Sequence, residues 1–349
     1  MTTKRLFLPC AIVLSAVALS GLTWSAAGKP NPGTRVARII QTNSAGDSVD
    51  IIDPATNKVV GLIEGIEVNH GAGAAPDGSR IYVSDEAQST LDVVDARTFK
   101  VTKRIPLTGH PNNVAVAPDG KRVYVAIAEA PGGVDVIDAT SLTDIKTLQT
   151  KGPIHNPYVT PDGKYVVAGS IRGKSVNVIN TQTDQTAWTL DMGLGVRPMA
   201  FARNPDGSTK WIFVQLSDFN GFAVVDFETH KEINRIHNPD LLPGKSKVTA
   251  GADPSHGMAV TPDQKTLVVC SRENNELFAY SLPDLKVIGR AYLGGKGAAW
   301  VTLTPDGKTA YVACAASNYV SVVDIKTMKE FTRIQVGQVP KRNITAVTP

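Results

Sequence analysis

The chain has 349 residues, with 36 Lys or Arg against 32 Asp or Glu and a formal charge of +4 when histidine is neutral. A balance so close to neutrality offers no argument for nucleic acid as a partner. The length exceeds a typical single core, so either several domains or a repeat array is required.

Met1 to Ala27 is basic at Lys4 and Arg5, apolar from Leu6 to Leu22, and ends in Ser25-Ala26-Ala27. This pattern predicts a secretory signal peptide cut before Gly28, which lowers the charge to +2 by removing Lys4 and Arg5. An uncleaved anchor is the alternative, but the apolar run is shorter than the roughly 20 residues a spanning helix needs. No membrane span is therefore expected in the mature chain, and Cys10 does not look like a lipidated cysteine. Gly28 to Thr34 reads as an exposed Pro/Gly leader.

From residue 35 onward one unit recurs, most completely between His110 and Leu148. Asn113 to Ala117 is a short apolar strand, Pro118-Asp119-Gly120 a tight reversal, and Arg122 to Ile127 the return strand. Val134 to Asp138 and Ile145 to Leu148 read as the third and fourth strands. The reversal recurs at Pro76-Asp77-Gly78, Pro161-Asp162-Gly163, Pro205-Asp206-Gly207, Pro262-Asp263-Gln264 and Pro305-Asp306-Gly307. A third-strand signature recurs as well, for example at Val49 to Asp53, Leu91 to Asp95 and Val320 to Asp324.

Six units are complete, and the termini supply a seventh. Arg35 to Gln41, Ser48 to Asp53 and Val59 to Ile63 lack a first strand, while Asn343 to Pro349 reads as a first strand with nothing after it. A four-stranded antiparallel sheet cannot bury both faces alone, but radial stacking buries them against neighbours. The expected fold is all-β: a single seven-bladed propeller over 35–349, closed by a C-terminal innermost strand.

The pattern PDG-x-x-x-YV followed by V-x-V-I-D-x-x-T resembles the YVTN-type β-propeller repeat family over essentially the whole mature chain. Its tetrapeptide is degraded here to Tyr82-Val83-Ser84-Asp85. The resemblance implies a fold and leaves function open, because similar propellers include surface proteins, lactonase-like enzymes, quinone amine dehydrogenase subunits and haem-d1-binding domains.

Function is therefore sought in departures from the repeat. Counting six residues back from each hairpin proline gives His70, Asn112, His155, Pro198 (with one inserted residue), His256, Ala299 and Asn343, and His110 lies two residues before Asn112. Four of six histidines thus fall where innermost strands begin, at the channel mouth. Arg197, Lys341 and Arg342 share that end, as do the loop residues Asp85, Glu86, Glu129, Arg172, Lys174, Asp218, Arg272 and Glu273. The expected ligand-binding set is His70, His110, Asn112, His155, Arg197, His256, Trp300, Arg342 and Asn343. His70, His110, His155 and His256 are the candidate metal ligands, with copper or iron as the candidate metal. Polar lining of the channel and acid-base chemistry without metal stay open beside that reading. Arginines at a mouth suit a carboxylate or phosphate. Trp300 suits stacking on a ligand or filling space between blades.

The insertion from His237 to Pro254 predicts a lid on the histidine side. Cys270 and Cys314, on second strands of adjacent blades, are expected as buried thiols, although a disulfide is permissible in an exported protein. No nucleotide loop, zincin helix, nucleophile elbow or haem-attachment motif occurs. The expectation is a periplasmic or secreted propeller that binds a small molecule or protein and serves a periplasmic redox partner. A metal- or cofactor-dependent oxidoreductase is the alternative. A lactonase-like hydrolase stands third, because the leading positions of the innermost strands offer no carboxylate.

Overall fold

A computed structural model describes Arg35–Pro349, which form one compact unit. The expected signal peptide and leader lie outside the described residues. All regular structure among the described residues is strand, arranged as seven four-stranded antiparallel sheets. No helix there is long and apolar enough to cross a membrane.

The blades follow the repeat. In the unit around His110 the strands are Pro111–Val116, Arg122–Ile127, Gly133–Asp138 and Thr143–Leu148. Middle strands bury every residue but the ends, whereas outer strands alternate, as in Lys58–Glu64 and Lys329–Gln335. That difference follows from position, since middle strands face neighbouring blades on both sides and outer strands meet solvent. The apolar clusters accordingly lie between blades. Cys270 and Cys314 are free thiols buried in one such cluster, between the sixth and seventh blades.

The aspartates of the repeat are consumed by turns. Asp77 and Asp119 accept backbone N–H groups two residues on, at 2.9 and 3.0 Å, and Gly78 and Gly120 take φ of +73° and +71°. Asp95 and Asp138 cap the third-strand reversals in the same way, with bonds of 2.8 Å from Thr98 N and 2.7 Å from Ser141 N. Their recurrence is explained by the blade.

The ring closes as expected, with a longer strand. Pro340–Thr348 pairs with Val36–Asn43, and Ser48–Asp53 and Lys58–Glu64 complete that blade. Deleting residues 340–349 leaves Val36–Asn43 as an unpaired inner edge. The expected outcome is a lower urea midpoint, a broadened transition and concentration-dependent association, measured by circular dichroism and light scattering.

Candidate functional site: a basic layer across the channel mouth

Each innermost strand except Asn156–Val159 has an irregular register at its leading end. Asn69 pairs Asp85 and Ala72 pairs Val83, so His70 and Gly71 together face Ser84. The same slip places Asn112-Asn113, Arg197-Pro198 and His256-Gly257 outside regular pairing. Ala299 is the extra residue in the seventh blade, and Lys341-Arg342 in the closing strand. A bulge re-aims side chains without ending the strand, and here it turns one set from every affected blade toward the axis. Glycine after histidine has a steric reason. A Cβ on Gly71 would lie 2.5 Å from Asn112 O, and one on Gly257 2.5 Å from Trp300 Cα.

The bulges also correct the register expected from the proline count. Asn343 is a regularly paired residue opposite Gln41, and Lys341 and Arg342 stand where His70 and Gly71 stand in their blade. The closing strand extends two residues further outward than the repeat does, so its terminal proline is not the hairpin proline. Arg197 shares its bulge with Pro198.

The re-aimed side chains form a layer around the Arg342 guanidinium, which is only 1% exposed. Arg342 Cζ lies 4.7 Å from the Trp300 ring centroid, and its Nη2 donates to Asn112 Oδ1 at 2.6 Å. His256 is tilted against Trp300 at 5.7 Å and meets His155 edge to face at 6.3 Å. His256 Nδ1 donates to Ala299 O at 2.6 Å. His155 Nδ1 contacts Asn156 Oδ1, and His70 Nδ1 contacts the Glu86 carboxylate. His155 thus meets His256 side chain to side chain across a blade that lies between theirs, and His256 meets Trp300 of the adjoining blade.

Beyond the layer, toward the hairpin end, the channel opens into a cavity of about 440 Å³. Its walls include Val114, Tyr158, Met199, Phe201, Met258, Trp300 and Asn343. Trp300 therefore belongs both to the basic layer and to this cavity.

The electrostatics are lopsided. Among the described residues neither Lys341 nor Arg342 has a carboxylate within ion-pair distance, whereas Arg272 pairs with Asp253, and Arg197 Nη1 lies 3.9 Å from the same carboxylate. Arg342 Nε and Nη1 are buried with no hydrogen-bond partner among the described residues. Burial pulls the Arg342 guanidinium down to about 10, and burial with neighbouring Arg342 lowers the Lys341 ammonium. His70, His155 and His256 are held well below the ordinary imidazole value, first by burial and then by cations including Arg342 and Lys341. The layer is thus neutral imidazole and aromatic around two cations with no carboxylate at ion-pair distance among the described residues.

One carboxylate reaches this end that the strand starts did not reveal. Glu86, from the loop after Arg80–Asp85, touches His70 and lies 3.8 Å from His110 Nε2. Burial raises its pKa, against the opposing pull of His110, Arg342 and Lys341. In the sequence it stands among the loop residues expected at this end, with nothing to single it out from them. The predicted set thus divides. His70, Asn112, His155, His256, Trp300 and Arg342 form the layer, and His110 stands at its solvent edge with a side chain 45% exposed. Arg197 joins the lid network and Asn343 the channel wall.

The 238–254 insertion is tied down beside the mouth. Val248 N donates to Glu273 O at 2.8 Å, Asp218 N to Ala252 O at 2.9 Å, and Asp253 engages Arg272. His237 and His230 pack on Phe219 and Trp188, outside the layer. Among the described residues no three His, Cys, Asp or Glu side chains are grouped to hold a metal ion. The four histidines expected to share copper or iron do not converge on one point. Three of them turn Nδ1 to Glu86, Asn156 and Ala299.

A family model described as a lactonase, seven-bladed β-propeller matches residues 130–341, well over half of the chain. The YVTN-type resemblance thus stands only as the seven-bladed architecture. No curated protein matches. Among solved structures, hydrazine synthase of Kuenenia stuttgartiensis is similar with a TM-score of 0.68 and 23% identity, over 82% of this chain and 91% of that one. The Pseudomonas aeruginosa periplasmic gluconolactonase PpgL gives 0.71 and 17%, over 90% and 100%. Dihydro-heme d1 dehydrogenase NirN, in complex with DHE, gives 0.63 and 15%, over 85% of this chain but only 63% of its own. At these identities the likeness is one of fold.

The neutral imidazoles make a pH prediction. An unfolded histidine titrates near 6.5, so between that value and the depressed folded value the unfolded chain binds more protons, and stability falls as pH drops. His256→Asn keeps a donor toward Ala299 O but removes this linkage. Urea unfolding at pH 7 and pH 5 should show a smaller stability loss in the variant, by about 1 kcal/mol. Equal losses would mean His256 titrates normally in the fold.

Proposed function

Because the chain belongs to the lactonase, seven-bladed β-propeller family, we propose that it is an exported propeller whose channel mouth binds a small organic carboxylate. The observation that carries this reading is the Arg342 guanidinium, buried beside Lys341 with two nitrogens unpartnered and no carboxylate paired to either cation. An unsatisfied buried donor costs roughly 1–3 kcal/mol, more when charged, and a fold tolerates that cost where a ligand supplies the acceptor. A carboxylate accepts several N–H bonds at once, which suits a guanidinium. Export rests on the basic and apolar N-terminal pattern. The likenesses to hydrazine synthase and NirN carry no redox role over to this chain, and among the described residues no three His, Cys, Asp or Glu side chains are grouped to hold copper or iron.

A second reading, hydrolysis of a cyclic ester, is favoured by Glu86. The absence of carboxylates at the strand starts placed hydrolysis third, but Glu86 enters from a loop and reaches two histidines. A hydroxy acid produced by ring opening would be a ligand of the kind Arg342 suits.

Arg342→Met removes the buried charge and keeps the volume. It should leave the protein folded and no less stable, because a buried unpaired charge is lost. It should also weaken binding of an aldonate such as gluconate by roughly 10- to 100-fold in calorimetry. Unchanged affinity would remove Arg342 from the site. For the second reading, Glu86→Gln should lower lactone turnover by roughly 100-fold or more while gluconate affinity changes little. Full activity in that variant would exclude a role for the carboxylate.

A further inference from the structure

The chain His110, Glu86, His70 runs from solvent to the interior of the basic layer. His110 is 45% exposed in its side chain, Glu86 13% and His70 10%. His70 Nδ1 meets Glu86 Oε1, and His110 Nε2 lies 3.8 Å from Glu86 Oε2, so the two histidines use opposite oxygens of one carboxylate. A neutral imidazole that gives its Nδ1 proton to a carboxylate carries its lone pair on Nε2. His70 Nε2 is buried and has no partner among the described residues. The charged and titratable groups facing this ring are Glu86, Arg342, Lys341, His155 and His256.

From this geometry we propose that His70 is the general base of the channel mouth, with Glu86 as its positioning residue and Glu86 and His110 together as the route by which its proton leaves. The proposal rests on the hydrolytic reading given above. A water molecule gives one proton to His70 Nε2 as its oxygen bonds the lactone acyl carbon. The ring C–O bond then breaks, and the leaving alkoxide oxygen takes up that proton, leaving a hydroxy acid. The new carboxylic acid then gives its proton to His70 Nε2 as the Nδ1 proton passes to Glu86 and on to His110, so lactone and water become hydroxycarboxylate and one released proton. The carboxylate has Arg342 and Lys341 to hold it. The released proton must escape a basic, buried layer, and the only carboxylate on His70 leads to an exposed imidazole. The exposed imidazole of His110 can hand that proton to bulk buffer.

This differs from a His-Glu dyad whose far end is sealed. Here the far oxygen of the carboxylate faces a second, solvent-borne histidine, so external buffer should matter.

Histidine-selective 15N NMR on the full chain tests the base assignment without activity. The expected spectrum has His70 neutral at pH 7 with the proton on Nδ1, and Glu86→Gln shifts the tautomer toward Nε2. A wild-type His70 protonated on Nε2 overturns the proposal. Kinetics with gluconolactone test the relay, after subtracting spontaneous hydrolysis. His70→Ala should lose roughly 100-fold or more in kcat. His110→Ala should lose about tenfold in dilute buffer with KM unchanged, and added imidazole should restore it. A His110→Ala enzyme indifferent to buffer overturns the relay while leaving hydrolysis standing. A wild-type protein that binds gluconate but turns over no lactone overturns the hydrolytic reading, and the relay falls with it.

Discussion

The pairing of Pro340–Thr348 with Val36–Asn43 is the contact on which both the ring and its chemistry depend. A propeller with free edges would expose two rows of backbone donors and acceptors, and joining the chain ends across one blade removes them. The same strand carries Lys341 and Arg342 in its bulge, so the closure that completes the fold also delivers the two unpaired cations. Asn343 then anchors it from inside, donating to Gln41 Oε1 and Tyr311 O at 3.1 Å each. Fold and site are coupled here through one segment of the chain, and a site built this way cannot exist in an unclosed ring.

Much of the architecture was legible because a propeller repeats its physics. Proline sets one turn angle, aspartate caps the reversal, and alternating or β-branched runs mark strands, so several signals agree in each unit. Strand bounds read from the unit at His110 therefore fall within about two residues of those found, as boundaries of this kind do. The histidine positions also survived, since His70 and His256 are each followed by the glycine that lets the next blade approach.

What could not be read was register at the bulges and reach from loops. The closing strand runs two residues further outward than the repeat, so counting back from Pro349 gave Asn343 the place that belongs to Lys341 and Arg342. Glu86 is one of several loop charges expected at this end with nothing to single it out, and only the folded loop brings it to His70. The four histidines expected to share a metal are not grouped among the described residues for a related reason. Equivalent positions in different blades share a height along the axis, but Nδ1 direction is set by local partners, and three rings were turned to Glu86, Asn156 and Ala299.

The neutrality of those imidazoles has a mechanical consequence for the cations. Protonated histidines at this height would add like charge to Lys341 and Arg342 in a low-dielectric layer, where repulsion is weakly screened. Burial and the cations hold the rings neutral, and the guanidinium packs on the Trp300 face. Asp253, the nearest acidic residue of the lid, is already engaged by Arg272 and shared with Arg197. The positive charge of the layer is thus kept from its own protein's carboxylates on the lid side, while on the other side Glu86 is committed to His70. A layer that keeps its cations buried and leaves two guanidinium nitrogens unpartnered has traded stability for the capacity to bind an acceptor from outside.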